Sequence, residues 1–326
     1  SVGVIAHRSS HAPPHARVSQ ASSQVGALEV GEFVTVLETR TLPNGQLRAR
    51  FQYTLQKTRL GRDGGWTSVT TSDGTDLHLL EAGEGEPLLM LPGWSQTAAM
   101  FRYQLEALSD RFHVIALDHR GHGESQKVSQ GYRVSRLAMD LHEVISCLEL
   151  EQTAVLGHSM GNAVLWSHWD LFGRDRFSKM IIAEQPPTHL SRPSWSQEEK
   201  DRAGCIMDPT ELVENCDGLV GVNADGFSAE FVKGMFSAQI SEEDLAFVVE
   251  ENLKMPRLAA SRLLQDTATA DWRDLIPRID IPTLVICGEE SLVPIPSQKW
   301  IQQSIEGARI EIMTGDQGGS HFMFWE

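Results

Sequence analysis

The sequence predicts an α/β protein in which a doubly wound, mostly parallel sheet carries a helical insert and follows a small β module. From residue 71 onward, short apolar runs typical of buried strands alternate with segments of helical periodicity. This alternation is typical of a parallel sheet covered by helices on both faces. Between about residues 186 and 270 the helical patterns follow one another without a buried strand, which predicts the insert.

The charge of the chain changes along its length. The 326 residues carry a net charge of −16, with 8 Lys and Arg against 4 Asp and Glu in residues 1–66, and 20 against 40 in the rest. An acidic main body disfavours nucleic acid and anionic membranes as partners, since both attract clustered basic side chains. No apolar run is long enough to span a bilayer, so we expect a small molecule as the partner of the main body.

Residues 1–24 are rich in Ser, Ala, His and Pro and lack periodicity, which predicts a disordered arm. His7, His11 and His15 would share one face of a helix and could then hold a metal. The two prolines between them oppose a helix, so we expect solvated histidines instead.

A small β module is predicted for residues 25–70. Two alternating runs, "EFVTVLETRTL" and "QLRARFQYTLQ", flank a turn that contains Asn44-Gly45, which is typical of a hairpin. This strand and turn pattern resembles the Src-homology-3-like β barrels. The resemblance makes the module a candidate for binding a protein partner.

The main body, residues 71–326, contains seven apolar runs that predict the strands of the sheet: "DLHLLEAG", "PLLMLPG", "FHVIALD", "TAVLGHS", "KMIIAEQ", "PTLVICGE" and "RIEIMTG". Inside the insert, Ser196 with Glu199 has the spacing of a helix-capping box, and Ser241 with Asp244 is an acidic relative of it. The insert is therefore expected to form an all-helical cap.

The stretch "TAVLGHSMG" predicts a nucleophilic serine. Ser159 follows a strand and precedes a helix, in the pattern G-x-S-x-G that is typical of a sharp, strained turn. Gly157 and Gly161 leave room for that turn, and the N–H of Met160 would face the same space as the serine oxygen and could stabilise an oxyanion. The alternative is a serine that only caps the helix.

A second oxyanion donor is expected in the turn "LPGWSQT" that follows an earlier strand. Gly93 allows the turn, and the N–H of Trp94 could complete an oxyanion hole. Trp94 could equally be a packed aromatic residue, and the two roles are compatible.

The base of such a site should be a histidine at the same edge of the sheet. His321 fits best among twelve histidines, because it follows the last strand in a glycine-rich loop. His158 adjoins Ser159, but strand alternation points its ring away, which favours packing. The histidines of "LDHRGHGES", residues 117–125, belong to a turn in which Asp118 and Arg120 are expected to be structural.

The acid that orients the histidine has two candidate positions. Glu184 ends the strand that follows the strand of Ser159, and we favour it. Glu289 and Glu290 follow the next strand, but their loop is one residue short and Ser291 stands where an aspartate is expected. A solvated loop carboxylate is the alternative for each of them.

The motifs "LPGWSQT", "LDHRGHGES", "GHSMG" and "GGSHF", in this order, resemble the α/β-hydrolase superfamily. They are most similar to its cofactor-free branch of esterases, lactonases, carbon–carbon bond hydrolases and non-haem haloperoxidases. The resemblance implies Ser159 as nucleophile, His321 as base, a helical cap over the pocket, and no cofactor or metal. It places the acid at either strand end, so Glu184 is an accepted position.

The sequence departs from the family in two ways. Pro92-Gly93 replaces the common His-Gly, so one hydrogen bond of the oxyanion loop is expected to be absent. The chain ends five residues after His321, where the family continues into a closing helix, and we expect that helix to be missing. Haloalkane dehalogenases and soluble epoxide hydrolases need an aspartate at the position of Ser159, so the serine argues against those activities.

The function expected from these residues is hydrolysis of an ester or lactone through an acyl-enzyme. Apolar residues of the insert, with Phe231, Met235 and Phe236 as the main candidates, would line a pocket for a medium-sized apolar substrate, although helical spacing also fits cap core. Carbon–carbon bond cleavage and a non-catalytic ligand-binding receptor are the alternatives. Four scattered cysteines are typical of a reducing compartment, which predicts a cytoplasmic protein.

Overall fold

The computed structural model describes residues 65–326 throughout, and before them it describes the backbone of five strands. These are β1 (Val2–Ile5), β2 (Ala16–Arg17), β3 (Gln24–Gly26), β4 (Phe33–Thr41) and β5 (Leu47–Tyr53). Strand β4 pairs antiparallel with β1 and β5, and β2 pairs antiparallel with β3. The pairing of β4 with β5 is the one expected of the hairpin, whose Asn44-Gly45 turn lies outside the described residues.

Strands β1 and β2 lie within the first 24 residues, where the sequence predicts a disordered arm, and that expectation stays a prediction. The valines and isoleucine of β1 suit its pairing with β4. The remainder of the arm, including its three histidines, lies outside the described residues. The likeness of residues 25–70 to a Src-homology-3-like barrel stays a prediction.

The predicted α/β class is confirmed by a mostly parallel sheet of eight strands. In space they follow the order β13-β12-β11-β10-β8-β9-β7-β6, and only β7 runs antiparallel to both neighbours. In the chain they are β6 (Gly65–Thr70), β7 (Asp76–Ala82), β8 (Glu86–Leu91), β9 (Phe112–Leu117), β10 (Thr153–His158), β11 (Phe177–Ala183), β12 (Thr283–Gly288) and β13 (Arg309–Met313).

Strand β6 corrects the expected organisation of residues 65–70. The sequence assigns them to the β module, whereas the structure pairs β6 with β7 at the edge of the main sheet. The reason is the short connection through Thr71, whose N–H donates to the carbonyl of Thr75 and closes a hairpin. Thr67 and Val69 alternate with more exposed neighbours and bury their side chains in the main body.

Helices cover both faces of this sheet. Leu89 and Leu91 of β8 join the apolar cluster under α2, α3 and α9, and Leu88 and Met90 join the cluster under α1. These helices are α1 (Arg102–Leu108), α2 (Val134–Cys147), α3 (Met160–Phe172) and α9 (Ile295–Ser304). No helix in residues 65–326 has the length and apolarity needed to cross a membrane.

The insert between β11 and β12 contains five helices: α4 (Gln197–Ala203), α5 (Pro209–Gly218), α6 (Ala224–Lys233), α7 (Glu242–Leu253) and α8 (Arg257–Ala268). The capping box predicted at Ser196 is confirmed, and the hydroxyl of Ser241 accepts the N–H of Asp244 as expected. A further box at Asp208, which starts α5, was not predicted. We call these five helices the cap.

A buried ion pair fixes the turn of residues 117–125 to α2. The guanidinium of Arg120, 2 % exposed, donates from Nε and Nη2 to the two carboxylate oxygens of Asp140 at 2.5 and 2.6 Å. The same group donates to Asp73 at 3.1 Å. Nearby, the carboxylate of Asp118 accepts the N–H groups of Ala98 and Glu124. The structural roles expected of Arg120 and Asp118 agree with these contacts.

Arg120→Met is expected to lower the free energy of unfolding by about 3 kcal/mol, because it leaves Asp140 buried without its main partner. Arg136 still donates to Asp140, which keeps the loss at the lower end of the range for broken buried pairs. The measurement is urea unfolding. Arg278→Met is the matched control, since its pair with Asp170 is more than half exposed and should contribute less than about 1 kcal/mol. Equal losses in the two variants would contradict the prediction.

Candidate active site

Ser159 forms a strained turn between β10 and α3. Its backbone has φ 52° and ψ −127°, in the left-handed region that a residue with a side chain rarely adopts. Two backbone hydrogen bonds hold it: its N–H donates to the carbonyl of Ala183 at 2.9 Å, and its own carbonyl accepts the N–H of Asn162 at 2.8 Å. The serine therefore stands at the carboxyl end of a central strand.

The two glycines of the turn are required because neighbouring atoms lie too close to leave room for a side chain. A Cβ at Gly157 would lie 2.5 Å from Oδ1 of Asn162, and one at Gly161 would lie 2.3 Å from the carbonyl oxygen of Leu91. Both distances are far inside van der Waals contact. The glycines thus allow α3 to start directly against the loop that follows β8.

That loop contacts the serine turn, and the oxyanion-donor role of Trp94 and Met160 stays a prediction. A Cβ at Gly93 would lie 3.1 Å from Cβ of Ser159, so the two chain segments are in contact. The N–H groups of Trp94 and Met160 have no hydrogen-bond partner among residues 65–326. Trp94 is also a packed aromatic residue, because its indole N–H donates to the carbonyl of Ala260 at 2.8 Å.

His122 supports the loop after β8, where the sequence predicts a missing hydrogen bond. Ser95 has φ 55°, and its N–H donates to Nε2 of His122 at 3.2 Å. The other ring nitrogen of His122 donates to the carbonyl of Arg120 at 3.0 Å, which fixes the tautomer. Burial lowers the pKa of His122 to about 4, so the ring is neutral and able to accept.

Arg257 holds the same loop from the cap, and the sequence analysis missed it. From the start of α8 its guanidinium donates to the hydroxyl of Ser95 at 3.1 Å and to the side chains of Asn252 and Ser228. Burial lowers the pKa of Arg257 to about 10, which leaves the group charged at neutral pH. No motif marks this arginine, because its partners come from three separate segments.

Glu184 and His321 come together at the edge of the sheet. Nδ1 of His321 lies 3.1 Å from Oε2 of Glu184, and both side chains are buried. Glu184 follows β11 with φ 56°, and His321 lies in the loop after β13. In the tautomer with its proton on Nδ1, His321 donates to the carboxylate and leaves Nε2 free to accept a proton.

The protonation of this pair follows from burial and hydrogen bonding. Burial raises the pKa of Glu184, whereas the N–H of Gly288, at 2.7 Å, and the hydroxyl of Ser291 donate to its carboxylate and act in the opposite direction. Burial has the larger effect, so the pKa of Glu184 is raised to about 8. Burial lowers the pKa of His321 to about 4, so the imidazole is neutral at pH 7.

Of the candidate acids, Glu184 contacts His321, whereas Glu289 and Glu290 do not. Glu289 and Glu290 have exposed side chains, and their N–H groups donate to the carbonyls of Met313 and Gly319. Ser291, at the expected aspartate position, instead donates its hydroxyl to Glu184. The short loop therefore contributes a supporting hydroxyl in place of a carboxylate.

His158 connects the serine turn to the histidine loop. Its Nε2 donates to the carbonyl of His321 at 2.8 Å, and the two rings lie 4.8 Å apart. The ring also packs against Phe322 and Phe324, as the strand alternation predicts for a packing role. A hydrogen bond thus fixes the backbone of His321 to the residue that precedes Ser159.

His189 is a further buried histidine near the site that the sequence analysis missed. Burial is the main reason why its pKa falls to about 4, and the neighbouring His321 lowers it further. Its position five residues after Glu184, at the same sheet edge, was the available indication. A neutral imidazole here could donate a hydrogen bond to a bound molecule or accept one from it.

Two of the predicted pocket residues pack against residues of the loops that carry Trp94 and His321. Phe231 packs edge-on against Trp94 with ring centroids 5.5 Å apart. Phe236 stacks on Phe322, the residue after His321, at 4.3 Å, and Met235 is half-buried in the same apolar cluster. Their role in substrate binding stays a prediction. Within residues 65–326, the group of three side chains that could hold a metal ion is His142, His168 and Asp175, and it lies outside this site.

Comparisons with known proteins agree with this geometry. Residues 86–204 match the family described as alpha/beta hydrolase fold. The chain is 34% identical over 263 residues to a soluble epoxide hydrolase of Corynebacterium, covering 73% of this chain and 87% of that one. It is 27% identical over 256 residues to a non-heme haloperoxidase of Rhodococcus erythropolis, covering 76% and 90%.

A solved structure shares the fold: an esterase from Exiguobacterium antarcticum, with a TM-score of 0.71 and 24% identity, over 79% of this chain and 92% of that one. The sheet order, the serine turn between β10 and α3, and these relatives lead to one conclusion. The chain belongs to the α/β-hydrolase superfamily.

Proposed function

We propose that this protein is a serine hydrolase that cleaves an ester or lactone through an acyl-enzyme, with Ser159, His321 and Glu184 as its triad. The observation that carries the proposal is the convergence of three chain segments at one sheet edge: the strained turn at Ser159 and the buried contact of 3.1 Å between His321 and Glu184. A serine is activated as a nucleophile when an oriented histidine takes its proton.

The proposed reaction has two halves. Oγ of Ser159 attacks the carbonyl carbon while its proton passes to Nε2 of His321, and the N–H groups of Trp94 and Met160 stabilise the oxyanion. The imidazolium, stabilised by Glu184, returns that proton to the leaving alkoxide. Water then attacks the acyl-enzyme, His321 takes its proton, and the acid is released as Ser159 is reprotonated.

Ser159 argues against one of the activities named for the relatives, the opening of epoxides. Epoxide opening through a covalent ester needs a carboxylate nucleophile, whose carbonyl carbon water can attack afterwards. Ser159 would form an ether with an epoxide, and that bond is not hydrolysed in the same way. We therefore propose acyl transfer rather than the activity named for the Corynebacterium relative, which is 34% identical.

The proposed substrate is medium-sized, apolar and largely uncharged. Phe231 beside Trp94 and Phe236 beside Phe322 would contact its acyl and alcohol parts. We place the reaction in the cytoplasm, because all four cysteines are free thiols. No cofactor or metal takes part in the proposed steps.

A fluorophosphonate probe is expected to label the full chain once, as read by intact mass. Ser159→Ala should abolish labelling because the nucleophile is absent. Glu184→Gln should slow it by about 10³- to 10⁴-fold, because the histidine loses the carboxylate that orients it and stabilises its charge. Absence of labelling in well-folded protein would overturn acyl transfer and favour the receptor.

Ser291→Ala is the matched serine control for this experiment. It removes one hydroxyl that donates to Glu184 and leaves the nucleophile in place. Labelling should persist in this variant with a rate about tenfold lower, the effect of losing one hydrogen bond to a charged group. Complete loss of labelling in Ser291→Ala would contradict the assignment of Ser159 as the nucleophile.

In the Glu184→Gln variant, which removes the carboxyl with the raised pKa, hydrolysis of a short-chain ester is expected to change little between pH 8 and about pH 5.5. The pKa of His321 is lowered to about 4 by burial, so the ring remains neutral and able to accept a proton across this range. With an ordinary pKa of 6.5 the rate would fall roughly tenfold at pH 5.5. The measurement is kcat/KM in a pH-stat, with circular dichroism as a control for folding. A tenfold fall in folded protein would contradict the prediction.

A further inference from the structure

A cluster of three potential ligands lies at the end of α3 away from Ser159. His142 belongs to α2, His168 to α3, and Asp175 to the loop before β11. Oδ2 of Asp175 lies 3.4 Å from Nδ1 of His142 and 3.9 Å from Nε2 of His168, and one ligand atom from each residue lies within 4.8 Å of the others. We call these residues the His142–His168–Asp175 cluster.

His168 is the unexplained member of this cluster. Its side chain is 0 % exposed, and neither ring nitrogen has a hydrogen-bond partner within residues 65–326. The ring packs between those of Phe172 and Phe177, at 4.9 and 4.6 Å, a place that an apolar ring would fill equally well. A buried imidazole without a partner is costly, and its Nε2 is directed at Asp175.

The geometry of the cluster suits a set of metal ligands. Ligand atoms around a tetrahedral zinc ion lie about 3.3–3.5 Å apart, given bonds of about 2.0–2.1 Å. The ligand atoms of the cluster lie within 4.8 Å of one another, at most roughly 1.4 Å beyond that spacing, and His142 and Asp175 are partly exposed and can adjust.

We propose that the His142–His168–Asp175 cluster binds one divalent transition-metal cation of the zinc type. Two imidazoles and one carboxylate suit Zn²⁺, Co²⁺ or Ni²⁺, whereas Mg²⁺ and Ca²⁺ prefer all-oxygen sites. No metal is expected from the sequence, and no local motif marks this site because its three residues are far apart along the chain. The bound ion would join α2 to the end of α3.

This site is separate from the proposed acyl transfer. His168 lies nine residues after Ser159, which places it about 13 Å along the helix. The metal would therefore change the stability of the fold and leave the nucleophile untouched. Labelling of Ser159 and binding of the metal can be measured independently, so the failure of one proposal does not imply the failure of the other.

The test uses the full chain with His7, His11 and His15 replaced by Ala, so that the histidines of the N-terminal arm do not compete. Titration with ZnCl₂ by calorimetry should give one equivalent bound, and CoCl₂ should give the visible absorption of low-coordinate cobalt. Zinc should also raise the Tm. Binding of no equivalent by this folded protein would overturn the proposal.

Two variants assign the binding to the cluster. Asp175→Asn and His142→Ala should each weaken zinc binding more than the roughly 10- to 100-fold loss that follows removal of an outer-shell partner. Asparagine tolerates the φ of 42° at position 175, so the fold is retained, and circular dichroism checks this.

His113→Ala is the matched control. This residue forms another histidine–carboxylate pair, with 2.8 Å between Nε2 and Oε2 of Glu81, and lies outside the cluster. Zinc binding should be unchanged in it. Zinc affinity that survives both Asp175→Asn and His142→Ala would overturn the assignment.

Discussion

The backbone conformation of Ser159 is the constraint on which the candidate site depends. A φ of 52° at a serine costs of order 1–3 kcal/mol, and the surrounding structure must impose it. The contact of Gly161 with the carbonyl of Leu91 does this, because α3 can then begin only against the loop after β8. One consequence is that the loop after β8 lies in contact with the serine turn.

The strain at the serine is shared with the neighbouring strand. The carbonyl of Ala183, the last residue of β11, accepts both the N–H of Ser159 and the side-chain amide of Asn162. Glu184 follows directly, and its φ of 56° turns the carboxylate toward His321. The same hydrogen bonds that hold the serine turn therefore also fix the start of the segment that carries the acid.

Features that depend on local sequence could be predicted, and those that depend on long-range contacts could not. The strands, the serine turn and the capping box at Ser196 follow from spacing within a few residues. The choice of Glu184 over Glu289 rested on strand order, and the structure brings Glu184 to His321. The roles of Arg257 and His122 around Ser95 need three segments far apart in sequence, so no local pattern reveals them.

The last two helices of the cap hold the loop after β8 in place. The indole of Trp94 donates to Ala260 in α8, the hydroxyl of Ser95 donates to Asn252 in α7, and the hydroxyl of Thr97 donates to Glu251 at 2.6 Å. An outward movement of α7 and α8 would break these bonds and displace the N–H of Trp94.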